Sequence, residues 1–284
     1  MLSSFHLKVK THIKTTVSLL VLTTAVLVST SGAQDLDVPY VPTPQPVVDE
    51  MLEIAQVEPG DYVIDLGSGD GRIVIAAAKK GATGHGVDLD PDRISEAREN
   101  AVNEDVDDKV MFLRKNIFDT DISQASVITM YLLSSVNLKL RPTILKTLRP
   151  GTRVVSHSFD MGDWRPDGSF DVESSMGRGH DVYLWVVPAD ASGTWSWNVD
   201  GRSHTLEVSQ RYQEIGLELE SEGNTLDTSD RVLRGRRISF SATDGDRHYL
   251  YSGRIEGNRI TGTVQIRTGN SRDNDQIVNW KATR

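Results

Sequence analysis

Asp65-Leu-Gly67-Ser68-Gly69-Asp70-Gly71-Arg72 sets an acid two residues ahead of three glycines at alternate positions, with an Ile/Ala-rich stretch behind them. Glycines at this spacing permit a tight turn and the close approach of a ligand to the backbone. A helix starting there presents N–H groups that lack intrahelical partners. The loop is not the dinucleotide fingerprint Gly-x-Gly-x-x-Gly, because Arg72 stands where the third glycine belongs. Asp65 gives the loop a different chemistry, since a carboxylate there repels a pyrophosphate and attracts an ammonium. A second acid, Asp88 in Gly86-Val-Asp88-Leu-Asp90, ends the next apolar run, where an acid accepts hydrogen bonds from ribose hydroxyls. Asn116 follows the run Val110–Leu113, and its amide suits an adenine edge. An ammonium-binding acid, a glycine loop carrying Ser68, a ribose acid and an adenine-reading amide together outline S-adenosyl-L-methionine. Read blandly, the same residues are a structural turn and a helix-leading acid.

The elements that must position these residues are legible from residue 61 to about 188. Short apolar runs at Tyr62–Leu66, Gly84–Leu89, Val110–Leu113, Ser126–Tyr131 and Arg153–His157 alternate with helix-like stretches, which predicts a parallel sheet covered by helices on both sides. One helix follows Asp90-Pro91, with the acid as cap, the proline in the first turn, and Ile94, Ala97 and Ala101 on one face. Upstream, Pro39 to Pro46 is punctuated by prolines that favour extended chain, and Val47–Ile54 reads as a short helix. After Pro188 the pattern changes to period-two runs broken at Asp200-Gly201, Gly223-Asn224, Asp244-Gly245 and Glu256-Gly257-Asn258. About eight such runs predict a small antiparallel barrel or sandwich, with Trp195, Trp197, Leu206, Tyr212, Ile238, Phe240, Tyr251 and Trp280 as its core. The expected division is a leader at 1–33, an approach segment at 34–60, an α/β domain of Rossmann-like build at 61–189 and a β-rich domain at 190–284.

Lys8, Lys10 and Lys14 precede the apolar run from Val17 to Val28, and Ser31-Gly32-Ala33 follows it. That order predicts a secretory signal peptide, with an uncleaved anchor through residues 15–33 as the alternative and a periplasmic, secreted or membrane-held body as the consequence. The 284 residues carry 40 acids against 31 Lys and Arg, a formal charge of -9, and removal of the leader would take three lysines with it. So acidic a body lacks the basic face that non-specific nucleic-acid binding needs. The chain has no cysteine, which excludes thiol nucleophiles, thiolate metal sites and disulfide chemistry. No His-x-x-x-His pair, nucleophile elbow or phosphate-binding Gly-Lys-Thr occurs, so hydrolase and nucleoside triphosphatase readings have no footing. His157, Asp160 and Asp163 lie around Gly162 on an expected loop and support no metal site, and Arg234-Gly-Arg-Arg237 reads as a solvated hairpin.

Asp65–Gly71 with Asp88 resembles the nucleotide motifs of class I S-adenosylmethionine-dependent methyltransferases. More narrowly, Tyr40-Val-Pro-Thr43, Asp65–Val74, Tyr131-Leu-Leu with Asn137 and Leu140-Arg-Pro142, and Val155-Ser-His157 with Asp163-Trp164 are similar to the protein-lysine methyltransferases that include the enzyme acting on the ATP synthase c subunit. The resemblance covers roughly residues 39–188 and does not reach the β-rich tail. It implies transfer of the sulfonium methyl group to a lysine ε-amine of a protein substrate, by in-line displacement and without a strong base. Tyr131, at the carboxyl end of the fourth strand, is then the first candidate for holding the amine, or else a half-buried core residue. Tyr40 and Thr43 are candidates to close over the methionine end of the cofactor, or belong to a solvated proline linker. The competing expectation is an exported binding or assembly protein without turnover, because the leader-like N-terminus conflicts with a cytosolic cofactor.

Overall fold

The computed structural model describes residues 40–174, 177–269 and 275–284. The leader expected at 1–33 lies outside these residues. Among the described residues no helix is long and apolar enough to cross a membrane.

Helix α1 (Gln45–Ile54) starts with Pro46 in its first turn and buries Val47, Val48, Met51 and Leu52. A mixed seven-stranded sheet follows: β1 (Tyr62–Leu66), β2 (Thr83–Asp88), β3 (Val110–Arg114), β4 (Val127–Met130), β5 (Arg153–His157), β6 (Gly168–Glu173) and β7 (Gly179–Val186), ordered β3-β2-β1-β4-β5-β7-β6. The first five strands are parallel. Strands β1, β4 and β5 are buried along nearly their whole length, as central strands covered on both faces are. Helices α2 (Arg72–Lys79), α3 (Pro91–Asn103) and α4 (Ser134–Thr147) make the crossovers. In α3, Asp90 caps the N–H of Asp92 at 2.8 Å and Ile94, Ala97 and Ala101 are buried.

Two departures from strict alternation occur. Between β3 and β4 only a single 3-10 turn forms, Ile117–Asp119. Beyond β5 the sheet ends in the antiparallel pair β7 and β6, because the short link between them cannot make the crossover a parallel strand needs.

The rest is a closed antiparallel barrel of eight strands, β8 to β15: Gly193–Val199, Arg202–Arg211, Glu214–Ser221, Asn224–Arg234, Arg237–Asp244, Arg247–Glu256, Arg259–Thr268 and Gln276–Thr283. Each strand pairs with the next, and β15 meets β8 at Thr283 and Ser196, which removes free edges. Trp195, Trp197, Leu206, Ile238, Phe240, Tyr251 and Trp280 fill the interior as expected. Tyr212 does not. It sits at φ +57° in the turn between β9 and β10 and stacks on Trp164, with ring centres 5.9 Å apart.

The hairpin Arg234–Arg237 is solvated at Arg234 and Arg237, as expected, but its middle is not: Gly235 is buried and Arg236 half-buried. Gly235 accepts a hydrogen bond from the Ala189 N–H at 2.7 Å, Arg236 Nε donates to the Pro150 carbonyl at 3.3 Å, and a Cβ on Gly235 would stand 3.0 Å from Gly151 Cα. The basic run is therefore a docking turn between barrel and sheet.

Candidate cofactor and acceptor site

From β1 the chain runs outward through β2 and β3 on one side and returns to β4 on the other. This is the point at which strand order reverses, where parallel α/β sheets open a crevice at their carboxyl ends. A pocket occupies it, and Tyr40, Thr43, Asp65, Gly67, Ser68, Gly69, Asp88, Asn116 and Tyr131 all line it. Gly71 does not. It is the N-cap of α2 at φ +82°, and a Cβ there would meet Phe112 Cζ at 2.6 Å and Ala97 Cβ at 2.9 Å, so its task is to bring α2 down against α3 and β3.

Asp65 is only 2% exposed. Its one side-chain partner among the described residues is Thr129 on the neighbouring strand, whose hydroxyl donates to Oδ1 at 2.7 Å. Burial pushes its carboxyl up to about 7, against the Thr129 bond and with help from Asp88 and Asp70. A buried acid held in this way gains most from a cation placed beside it. The loop around it is organised by β2: the N–H groups of Gly67 and Ser68 both donate to the Val87 carbonyl at 2.9 Å. Gly69 donates its N–H to Asp88 Oδ2 at 2.9 Å, and the Asp90 N–H donates to Oδ1 at 3.0 Å. These two bonds orient the Asp88 carboxylate and leave it lone pairs for hydroxyl donors.

The amino end of α2 is not open to an anion. Asp70 takes that place, accepting from the Arg72 N–H at 3.3 Å and from its guanidinium, which holds the Asp70 carboxyl below the usual range despite the cost of burial. Asn116 spends its side-chain oxygen on capping the Phe118 N–H at 2.9 Å, so only its amide nitrogen remains to donate toward a base.

The Tyr40 ring lies on Gly69, where an added Cβ would stand 2.4 Å from Cε2, and beneath the Arg93 guanidinium, 4.8 Å away. Gly69→Ala is expected to displace this ring, at a backbone already at φ +50°. Cofactor affinity should drop about tenfold or more while the melting temperature falls by only a few degrees, both measured on the purified chain, because the clash falls on a partly exposed ring. Thr43 is 3% exposed, and its hydroxyl lies 3.0 Å from His157 Nδ1. Tyr131 follows β4 directly and places its ring 3.8 Å from that of His157 and 6.0 Å from that of Phe159.

The expected polar cluster after β5 is dispersed. His157 ends the strand fully buried, Asp160 caps Gly162 at 3.0 Å, and Asp163 pairs with Arg141 and Arg211. Among the described residues no group of three His, Asp or Glu side chains is placed to hold a metal. Thr129, Arg93, Ile117 and Phe159, which no sequence motif singles out, also shape the site, together with Leu132 of the Tyr131-Leu-Leu motif. A lone hydroxyl within the apolar strand Val127-Ile-Thr-Met130 was the available signal for the first of them.

The residues present fit S-adenosylmethionine on their own geometry. Among the described residues Asp65 has no cationic side chain paired with it and Ser68 Oγ is buried without a partner, Asp88 is oriented by two backbone N–H groups, and apolar Leu89 and Ile117 line the pocket with Asn116.

The family model for the ANTKMT methyltransferase domain matches residues 65–168. The chain is similar to a protein-lysine N-methyltransferase of Saccharolobus islandicus, 48% identical over 154 residues that make up 53% of this chain and 94% of that protein. It is 32% identical to the adenine nucleotide translocase lysine N-methyltransferase of Mus musculus over 56% of this chain and 66% of that protein. Among solved structures, an RNA methyltransferase of Salinibacter ruber in complex with S-adenosyl-L-homocysteine is 53% identical, with a TM-score of 0.50 over 53% of this chain and 95% of that one. With a glycine loop, two acids and a pocket at the strand reversal, and with 48% identity across 94% of the Saccharolobus relative, the chain belongs to the protein-lysine N-methyltransferase family and is an S-adenosylmethionine-dependent methyltransferase.

Proposed function

We propose that the acceptor is the ε-amine of a lysine in a protein, methylated by direct in-line displacement. The relatives are named for two kinds of acceptor, protein lysine and RNA, and the observation that favours lysine is electrostatic. A chain with a formal charge of -9 repels a phosphate backbone and attracts a basic segment of a protein. The pocket supports the same choice: Tyr131, Phe159, Leu132 and Leu133 offer rings and apolar groups where the acceptor must enter, and desolvation lowers the pKa of an amine.

In this reading Asp65 holds the ammonium of the cofactor's methionine end, and Gly67, Ser68 and Gly69 leave room for its backbone approach. Asp88 accepts from the ribose hydroxyls and the Asn116 amide nitrogen donates to adenine. Tyr40 and Thr43 close the methionine end. The bound cofactor supplies an activated methyl group. The chain itself supplies orientation, exclusion of water and an uncharged amine, which are the large terms when two reactants need only be aligned. Tyr131 holds the incoming amine through its hydroxyl or the carbonyls beside it. The export-like order of lysines, apolar run and small residues at the N-terminus supports a body held outside the cytosol or on a membrane, where a supply of cofactor would be needed.

Incubation of the purified chain with deuteromethyl-labelled S-adenosylmethionine and a heat-treated cell extract, with protein and RNA then analysed separately by mass spectrometry, tests the reading. Label on protein lysine is the expected result. Label confined to RNA would establish the other acceptor and retire this one.

A further inference from the structure

Thr43, His157 and His180 come from three separate segments and form an unbroken chain of hydrogen bonds. Thr43 Oγ1 lies 3.0 Å from His157 Nδ1, and His157 Nε2 lies 2.9 Å from His180 Nδ1. The first lines the cofactor pocket, the second is fully buried and the third is partly exposed on β7. Tyr131 covers the His157 ring, so the middle of the chain stands directly behind the residue proposed to hold the amine. An imidazole kept only for its orientation is commonly tied by its second nitrogen to a carboxylate or a carbonyl. Here both nitrogens meet groups that can each give and take a proton, and the line leads from the pocket outward.

We propose that Thr43, His157 and His180 carry the proton of the acceptor ammonium from the pocket to solvent, the loss that makes the amine a nucleophile. The proposal rests on the lysine reading above. The ammonium N–H bond breaks as its proton passes to Thr43 Oγ1, whose own hydrogen moves to His157 Nδ1. The hydrogen on His157 Nε2 moves to His180 Nδ1, and His180 releases the hydrogen of its Nε2 to water. The balance is one ammonium and one water giving one amine and one hydronium, with no change of oxidation state. Burial, reinforced by His180, lowers His157 to about 4, so the middle member stays uncharged between transfers and does not store the proton. The titratable and charged groups around the line are Arg72 on α2, whose guanidinium donates to the Thr43 carbonyl at 2.8 Å and pairs with Asp70, Tyr131 after β4, Asp160 after β5, Asp171 and Glu173 on β6, and Asp181 and Tyr183 on β7. None of these carboxylates makes a hydrogen bond to either ring among the described residues.

The test follows the initial rate of deuteromethyl transfer to lysine in the heat-treated extract, by the full chain at saturating S-adenosylmethionine, from pH 6.5 to 9.5. His157→Gln and His180→Phe are each expected to slow transfer about tenfold or more near pH 7 and to regain most of the loss near pH 9.5, where more of the amine is already neutral in solution. Cofactor affinity measured by calorimetry should stay within about twofold. Thr43 also lines the cofactor pocket, so only its transfer profile at saturating cofactor is compared: Thr43→Val should show the same pH-dependent loss, and Thr43→Ser should recover the wild-type profile. His180 is partly exposed, so its variant is informative even where the buried one does not fold. An equal fractional loss at every pH, or no loss at all, would overturn the relay and leave the lysine reading standing. Wild-type label on RNA and not on lysine would defeat that reading, and the relay with it.

Discussion

Asp65→Asn is expected to weaken S-adenosylmethionine binding by about 10² to 10³, the usual loss when one partner of a buried, hydrogen-bonded charge pair is removed. The same substitution should leave the free protein folded and, at pH 8, somewhat more stable. The sign comes from linkage. The Asp65 carboxyl is pushed up to about 7 in the folded chain, above the ordinary value of about 4. Its contribution to stability is therefore complete below about pH 4 and is lost as pH rises through about 7. Above that range the free protein keeps a buried carboxylate with one hydroxyl partner, and asparagine removes the charge. Binding runs the opposite way, because an ammonium needs the ionised acid. Wild-type affinity should fall about tenfold from pH 8 to pH 6, one unit below the shifted value. Calorimetric titration at pH 6, 7 and 8, with melting temperatures of wild type and D65N in the absence of cofactor, measures both slopes. Equal cofactor binding by D65N, or a wild-type affinity that is flat with pH, would remove Asp65 from the ammonium site.

Trp164→Ala should destabilise the fold by about 3–5 kcal/mol, the usual cost of deleting a buried tryptophan. Trp164 has no exposed surface, packs its ring 6.0 Å from that of Trp185 and 5.9 Å from that of Tyr212, and donates its Nε1–H to Gln213 Oε1 at 2.8 Å. Its carbonyl accepts the Trp185 indole N–H at 2.8 Å. One side chain thus joins the outer sheet to the β9–β10 turn of the barrel. Truncation leaves a void at that junction and takes the indole donor from Gln213 Oε1, while Gln213 Nε2 keeps its bond to the Arg165 carbonyl. A fall of about 10 °C or more in melting temperature is expected, with cofactor affinity retained at low temperature because Trp164 does not line the pocket. Gln213→Leu should cost less, since it removes the bond and keeps the packing. A drop of under about 3 °C for W164A would show that the barrel does not depend on this joint.

Much of the scaffold was readable in advance for local reasons. The β1 and β5 limits coincide with apolar runs whose period and flanking turns are written in adjacent residues, and α3 announces itself through Asp90, Pro91 and a three-four spacing of small and apolar side chains. The barrel, too, follows from alternation and turn residues, and closes with β15 on β8. Where the structure departs from the sequence pattern, the residue has a partner far along the chain. Tyr212 looked like a barrel residue by pattern but is turned outward on a left-handed backbone to meet Trp164. Arg234 and Arg237 are solvated as their charge suggests, but nothing in the run signals the Pro150–Gly151 backbone on which Gly235 and Arg236 rest.

The site divides in the same way. Asp65, the glycines, Asp88 and their order were determined by the sequence alone, because a turn, a strand end and an acid are local properties, and from them came the class of cofactor. Their working geometry was decided by tertiary structure. Thr129 reaches Asp65 across 64 residues and His157 reaches Thr43 across 114, in each case because strand register or the return of an extended segment brings them side by side. Register and packing are minimised over the whole chain, so no single stretch encodes them. The same is true of the charge on Asp65, whose residue type was plain and whose shift to about 7 exists only where folding strips water from it.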